Sequence, residues 1–281
     1  VKLHEFLIET APQWKGVTET SEQDVSVLIA HLLGRSRSWV LSHGESELSA
    51  EQLKKLEDHL RLYQQGVPLP YLLGKWEFFG WEFLVTKDTL IPRPETELMV
   101  ETVLAWLESH PQAKHVLDIG TGTGCVAISI ALSCERVSVV ASDLSFAALL
   151  VAKKNVEKYQ LQNRVFLSAA NLIPPLARRF EVVCANLPYI PSERLKTLSV
   201  YGKEPTLALD GGKDGLALYR SLFAVLPKIT HRTSLVTCEM DSEQSAEMVA
   251  LAQRAFPKAN LQVLQDLSGQ DRLLKVDIVA E

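Results

Sequence analysis

Cysteine is scarce, positive charge is in deficit, and no apolar run approaches membrane-spanning length without polar breaks. The four cysteines, Cys125, Cys134, Cys184 and Cys238, stand at neither metal-ligand nor disulfide-framework spacing. Free buried thiols in a reducing compartment are expected, and no metal site. Lys and Arg number 29 against 34 Asp and Glu, a net charge of −5. No global positive field draws the chain to nucleic acid or anionic lipid, so a protein or small-molecule partner is favoured. The opening "VKLHEFLIETAPQW" carries acids and lacks the apolar run of a signal peptide, so a soluble, cytoplasmic protein without membrane contact is expected.

What is present is an ordinary globular composition, 47% hydrophobic and 22% charged, over 281 residues. That length suits one large domain or two modest ones. The first seventy residues carry helical periodicity. "SEQDVSVLIAHLLG" sets Val25, Leu28, Ile29, Leu32 and Leu33 on one face, with Ser21 expected as N-cap and Gly34 as stop. "SAEQLKKLEDHLRLYQQG" repeats the design with Leu53, Leu56, Leu60 and Tyr63, a Ser49 cap and Gly66 at the end. Residues 1–74 are therefore expected to form a small helical bundle. "VPLPYLLGKWEFFGWEFLV" breaks the helices with proline, and its aromatics around Gly80 suggest a hairpin from about Trp76 to Val85 within a linker, 75–94.

Residues 95–281 alternate. Helices are expected at Glu95–Ser109, Cys125–Leu132, Phe146–Lys158, near Leu216–Leu226 and at Ser242–Phe256. Strands are expected at His115–Ile119, Val137–Ser142, Arg164–Ser168, Glu181–Ala185 and Ser234–Glu239. "ANLQVLQDL" and "DRLLKVDIVA" read as a closing antiparallel pair. Alternation of this kind means an α/β fold with a mainly parallel, doubly wound sheet and a ligand site at the strand carboxyl ends.

Two segments carry chemistry. "HVLDIGTGTGCVAISIA" places Asp118, Gly120, Gly122 and Gly124 between the first sheet strand and its helix, where glycine lets the backbone turn tightly and approach a ligand. Gly122, Gly124 and Ala127 also satisfy the loose dinucleotide spacing, and Asp143 ends the next strand, where it can hold a ribose hydroxyl pair. A nucleoside-containing ligand follows, its identity left open by these residues alone. In "VVCANLPYIP", a buried strand ends abruptly in Asn186-Leu187-Pro188-Tyr189. A turn of this composition suits a planar amide or aromatic amine group. The Asn186 carbonyl and the Leu187 backbone carbonyl can accept its N–H groups, while Pro188 and Tyr189 stack on the planar group.

The glycine segment resembles the first motif of Rossmann-like S-adenosylmethionine-dependent methyltransferases, in which such an acid lies near the methionine end of the cofactor. Asn186–Tyr189 resembles the Asn-Pro-Pro-Tyr signature of amino methyltransferases, with Leu187 as a departure. "TLIPRPETELMV", "GVPLPYLLGKWEFFG", "KEPTLALDGGKDGLALYR" and "LSGQDRLL" extend the resemblance over almost the whole chain, to the HemK/PrmC family of protein glutamine methyltransferases. The resemblance implies a Rossmann-like methyltransferase domain (95–281) behind a helical substrate-docking domain (1–74). It implies methyl transfer from S-adenosylmethionine, leaving S-adenosylhomocysteine, to the Gly-Gly-Gln glutamine of class 1 peptide chain release factors. It maps Asp118, Gly120, Thr121, Gly122, Gly124, Asp143, Asn171 and Asn186 onto cofactor positions, with Asn171 standing where the family usually has Asp. Asn186, Leu187, Pro188 and Tyr189 map onto the catalytic and glutamine-binding site, which Pro92 and Arg93 adjoin. The family's Glu-x-Gly after the fifth strand reads Glu239-Met240-Asp241, a change expected to leave the acceptor geometry alone.

Two other readings stand beside this one. Asn-Leu-Pro-Tyr is also the form found in adenosine dimethyltransferases, so an adenine amino-methyltransferase acting on RNA or DNA is the alternative. It calls for a basic groove, and the chain offers only Lys153-Lys154 and Arg178-Arg179. A catalytically dead binding module would not need Asp118, Asp143 and Asn186 together.

Overall fold

Amphipathic spacing in the first seventy-five residues closes into five helices: α1 (Leu3–Trp14), α2 (Ser21–Leu33), α3 (Arg37–Ser42), α4 (Ala50–Gln64) and α5 (Leu69–Leu73). The protein is described by a computed structural model covering residues 1–175 and 178–279. Val25, Leu28 and Ile29 of α2 meet Leu56, Leu60 and Tyr63 of α4 in one core, with Leu32, Leu33 and Leu53 at its margin. Gly34 ends α2 in the left-handed conformation, and Ser49 caps α4 in a reciprocal box with Gln52. Ser21 departs from expectation: Thr20 is the N-cap, and the Ser21 hydroxyl turns back to the Thr18 carbonyl at 2.8 Å. The hydroxyl closes the preceding turn instead of capping the helix. These helices form a unit of their own, Val1–Lys75.

The second unit begins at Trp76. Strands β1 (Lys75–Phe78) and β2 (Trp81–Leu84) form the expected hairpin. Phe78 and Phe83 of this hairpin are fully buried in the core of the second unit. A polar clamp adds to the packing. Buried Asn155 accepts the Leu84 N–H at 2.8 Å and donates to the Leu84 and Thr123 carbonyls at 3.0 and 2.9 Å.

The remaining elements alternate: α6 (Glu97–Ser109), β3 (His115–Ile119), α7 (Cys125–Ser133), β4 (Ser138–Asp143), α8 (Phe146–Lys158), β5 (Val165–Ala169) and β6 (Phe180–Ala185). They continue with α9 (Ser192–Leu195), α10 (Ala217–Ile229), β7 (Thr230–Glu239), α11 (Ser245–Ala255), β8 (Asn260–Gln265) and β9 (Asp271–Ile278). The seven strands run β5-β4-β3-β6-β7-β9-β8, parallel from β5 to β7 and closed by antiparallel β9 and β8. Residue 280, with which the closing expectation ended, lies outside the described residues. Alternate residues of each central strand feed opposite faces. Val116, Val182 and Cys184 pack with α6 and α7, whereas Leu117, Ile119, Val183 and Ala185 pack with α10 and α11.

Three boundaries differ informatively. β7 starts at Thr230, four residues before the expected Ser234, because Thr230 pairs with Phe180 of β6 and the residues between it and Leu235 bulge out of register. The helices expected from Glu95 and Ser242 open instead as 3-10 turns, Pro94–Thr96 and Ser242–Gln244. The first of these turns carries Thr96 inward, where it is 3% exposed. All four cysteines are free and buried. Among the described residues, no helix is long and apolar enough to cross a membrane, and no cluster of three His, Cys, Asp or Glu suits a metal ion.

Asn155→Ala removes three hydrogen bonds and leaves buried backbone groups unpaired, so destabilisation by about 3 kcal/mol is expected from urea unfolding of the whole chain.

Candidate active site

Parallel register sets the site. Ile119 of β3 pairs with Ser142 of β4 and Ala185 of β6, and Ala185 pairs with Cys238 of β7. The next residue of each strand path is therefore Asp143, Gly120, Asn186 and Glu239, side by side at the carboxyl edge. The chain leaves β3 towards β4 on one side and later returns as β6 on the other, the switch point at which doubly wound sheets bind ligands.

Gly120, Gly122 and Gly124 all have positive φ (73, 55 and 82°), the region that glycine enters without a Cβ penalty. A Cβ on Gly120 would stand 3.2 Å from Leu187 Cδ2 and 3.3 Å from the Asn186 backbone oxygen, so the loop and the acceptor segment touch. Gly122 donates its N–H to Asp143 Oδ2 at 2.9 Å, and Ser145 donates to Oδ1 at 2.8 Å. The Thr121 hydroxyl donates to Asp118 Oδ2 at 2.6 Å. Asp118 is 2% exposed, and burial, with the Asp143 charge adding to it, pushes its pKa up to about 6 against the bond from Thr121. Burial raises Asp143 as well.

Behind the acceptor segment lies a chain of polar contacts. Asn186 Nδ2 donates to the Thr96 hydroxyl at 3.1 Å, and that hydroxyl donates to Glu239 Oε2 at 2.7 Å. The Tyr189 hydroxyl donates to Glu239 Oε1 at 3.3 Å. Glu239 is 2% exposed, and its pKa is raised by burial. Tyr189 is raised too, by burial and then by the neighbouring Glu239. Glu239, the unchanged residue of Glu239-Met240-Asp241, is thus bonded towards the acceptor segment from both sides, whereas the departing Asp241 accepts from Arg194 at 2.9 Å.

The backbone of the segment is held as closely. Leu187 in place of proline adds an N–H, which the buried Tyr219 hydroxyl accepts at 3.2 Å while donating to the Glu239 carbonyl. Gln244 Nε2 donates to the Tyr189 carbonyl at 2.8 Å. A Cβ on Gly211 would lie 2.7 Å from the Pro188 oxygen, and one on Gly215 2.1 Å from the Tyr189 oxygen. The "DGGKDG" stretch is glycine-rich because it runs against this backbone.

Asp118, Gly120, Thr121, Gly122, Asp143, Asn171, Asn186, Leu187, Pro188, Pro92 and Arg93 line one cleft. Gly124 does not; its missing Cβ faces Ile128 and Ala152, so it shapes the helix start. Nor does Tyr189, whose hydroxyl is bonded to Glu239. The Arg93 guanidinium pairs with buried Glu204, which also accepts the Ile91 N–H at 3.0 Å, so Arg93 pins its own segment beside the cleft. Thr96, Glu204, Tyr219 and Gln244 had no signal in the sequence beyond lying in or near segments that already resembled the family.

The glycine loop suits a nucleoside-bearing cofactor, since Gly122 leaves open space where a Cβ would stand and Asp118 and Asp143 face the same cleft. Comparison with known proteins agrees. Residues 12–74 match the PrmC N-terminal domain and residues 95–200 the methyltransferase small domain. A release factor glutamine methyltransferase of Bacillus anthracis is 34% identical over 259 residues, 90% of this chain and 91% of that protein. One from Moorella thermoacetica is 36% identical over 259 residues, 92% of this chain and 91% of its own length. Among solved structures, the hMettl16 catalytic domain in complex with a MAT2A 3'UTR hairpin superposes with a TM-score of 0.60 at 14% identity, covering 90% of this chain and 93% of that one. That likeness is one of fold alone. Fold and relatives together imply use of S-adenosylmethionine.

A folded pKa raised to about 6 means the unfolded Asp118 loses its proton first, near pH 4. Its contribution to folding is therefore full below pH 4 and is lost as pH rises through 6. A cationic ligand end bound beside it would favour the ionised form. Binding of S-adenosylmethionine at pH 6 is expected to release roughly half a proton, and little at pH 8. Calorimetry in buffers of differing ionisation heat reads this, and Asp118→Asn should abolish the release.

Proposed function

The chain belongs to the release factor glutamine methyltransferase family, and from that premise we infer that it transfers a methyl group to the side-chain amide nitrogen of the Gly-Gly-Gln glutamine in class 1 peptide chain release factors. The single observation that carries the reading is the setting of Asn186. It stands one residue beyond β6, against Gly120, with its Nδ2 engaged by Thr96, so that Oδ1 is the edge left for an incoming N–H donor.

The bound S-adenosylmethionine supplies an electrophilic methyl on a sulfonium centre. Asp118, Gly120, Thr121, Gly122, Asp143 and Asn171 are the residues this reading assigns to holding it. Asn186 Oδ1 and the Leu187 carbonyl accept the two N–H groups of the glutamine amide, and Pro188 packs against its plane. Hydrogen bonds accepted from both N–H groups raise electron density on nitrogen and hold it in line with the methyl. This is positioning with electrostatic stabilisation and needs no covalent enzyme intermediate. Pro92 and Arg93 border the acceptor group, the latter held by Glu204. Residues 1–74, with a core of their own, serve as the docking domain for the factor, and 95–281 as the catalytic domain.

The test is methyl transfer from labelled S-adenosylmethionine to recombinant release factor, with structured RNA in a parallel tube and mass spectrometry to place the label. Label on the Gly-Gly-Gln glutamine is expected. Label on RNA adenine alone would overturn the reading in favour of the base-directed activity that the Asn-Leu-Pro-Tyr form suggests. Asn186→Ala should slow transfer about 100-fold or more with little change in cofactor affinity.

A further inference from the structure

We propose that Thr96 and Glu239 form a positioning relay that fixes which edge of the Asn186 carboxamide faces the acceptor group, and so makes the site select a primary amide over a carboxylate. The proposal rests on the reading of Asn186 as the acceptor's partner.

The argument is one of hydrogen counting. A carboxylate only accepts, and a threonine hydroxyl has one hydrogen to give. Both oxygens of Glu239 receive hydroxyls, Oε2 from Thr96 at 2.7 Å and Oε1 from Tyr189 at 3.3 Å. With its hydrogen committed to Glu239, the Thr96 oxygen can only accept. The edge of Asn186 that meets it at 3.1 Å must therefore be the N–H edge. Thr96 and Glu239 are 3% and 2% exposed, so water is not available to replace these partners. Rotating the carboxamide by half a turn would set Oδ1 against the Thr96 lone pair and leave a buried acceptor facing an acceptor.

The consequence falls on the substrate side. With Oδ1 held outward, an incoming –NH2 group finds an acceptor, and a carboxylate finds only another oxygen. Glutamine and glutamate have nearly the same shape, so pocket size cannot separate them, whereas an acceptor of fixed orientation can. The relay is also spread over three distant stretches, a 3-10 turn and the ends of β6 and β7, and nothing local in "NLPY" encodes it.

The experiment uses the full chain and a release factor carrying either Gly-Gly-Gln or Gly-Gly-Glu. Methyl transfer to the first is measured, along with inhibition of that transfer by the second. Thr96→Val keeps the side-chain shape and removes the hydroxyl; Thr96→Ser keeps the hydroxyl. For Thr96→Val, kcat is expected to fall about 10- to 100-fold, comparable to losing the outer partner of a metal-bound histidine. KM and S-adenosylmethionine affinity should move little, and inhibition by the Gly-Gly-Glu factor should strengthen relative to wild type. Thr96→Ser should restore both readouts to within about threefold, which a loss of packing alone would not do. Wild-type kcat with unchanged inhibition in Thr96→Val, or a Thr96→Ser variant as impaired as Thr96→Val, overturns the relay while leaving the family activity standing. No glutamine methylation by the unsubstituted chain overturns both.

Discussion

The parallel register of β4, β3, β6 and β7 is the constraint on which everything else depends. Each strand is hydrogen-bonded to its neighbour so that the four paths reach the carboxyl edge level with one another. A slip of one residue in any pair would turn its inward set to the other face. It would also carry Asp143, Gly120, Asn186 or Glu239 out of the row. The chemistry of the cleft is thus an outcome of backbone pairing, secured by two apolar cores on opposite faces of the sheet.

Rigidity at that edge comes from polar groups placed behind the cleft. Tyr219 holds the Leu187 N–H and the Glu239 carbonyl together, and Glu239 in turn takes hydroxyls from Thr96 and Tyr189. Every one of these groups is buried or nearly so, where an unpaired partner is expensive and a complete network is stiff. The departure from proline at Leu187 fits this view. The change creates a backbone donor in the acceptor segment, and a fully buried phenol is there to receive it. The glycines of "DGGKDG" perform the complementary task, letting a second backbone pass against Pro188 and Tyr189 where no side chain has room.

Much of this was legible in the sequence where the signal is local. Strand β3 and helix α8 begin and end where periodicity puts them, and the hairpin, the closing antiparallel pair and the caps Gly34 and Ser49 follow from nearby residue types. Asp118, Asp143 and Asn186 were found because each lies at or within one residue of a strand's carboxyl end, where chemistry-bearing residues stand out against an apolar run. Ser21 was misread: it was assigned the capping task typical of its residue type, and its hydroxyl is occupied instead by the Thr18 turn, which the pattern does not reveal. Gly124 and Tyr189 likewise have neighbours that no local pattern reveals, Ile128 with Ala152 and Glu239.

The sequence by itself therefore determined the alternation of strands and helices, the glycine loop with its two acids and the amide-aromatic turn, and through these the class of reaction. These features depend on spacings of a few residues, and the chain needs no distant partner to express them. Only the tertiary structure decided how the acceptor edge of Asn186 is oriented. That orientation depends on Thr96, 90 residues away, and on its bond to Glu239, a further 143 residues along the chain from Thr96. Periodicity carries no information about which buried hydroxyl will stand beside which amide. That is settled when the sheet pairs and the 3-10 turn at Pro94–Thr96 packs against its edge.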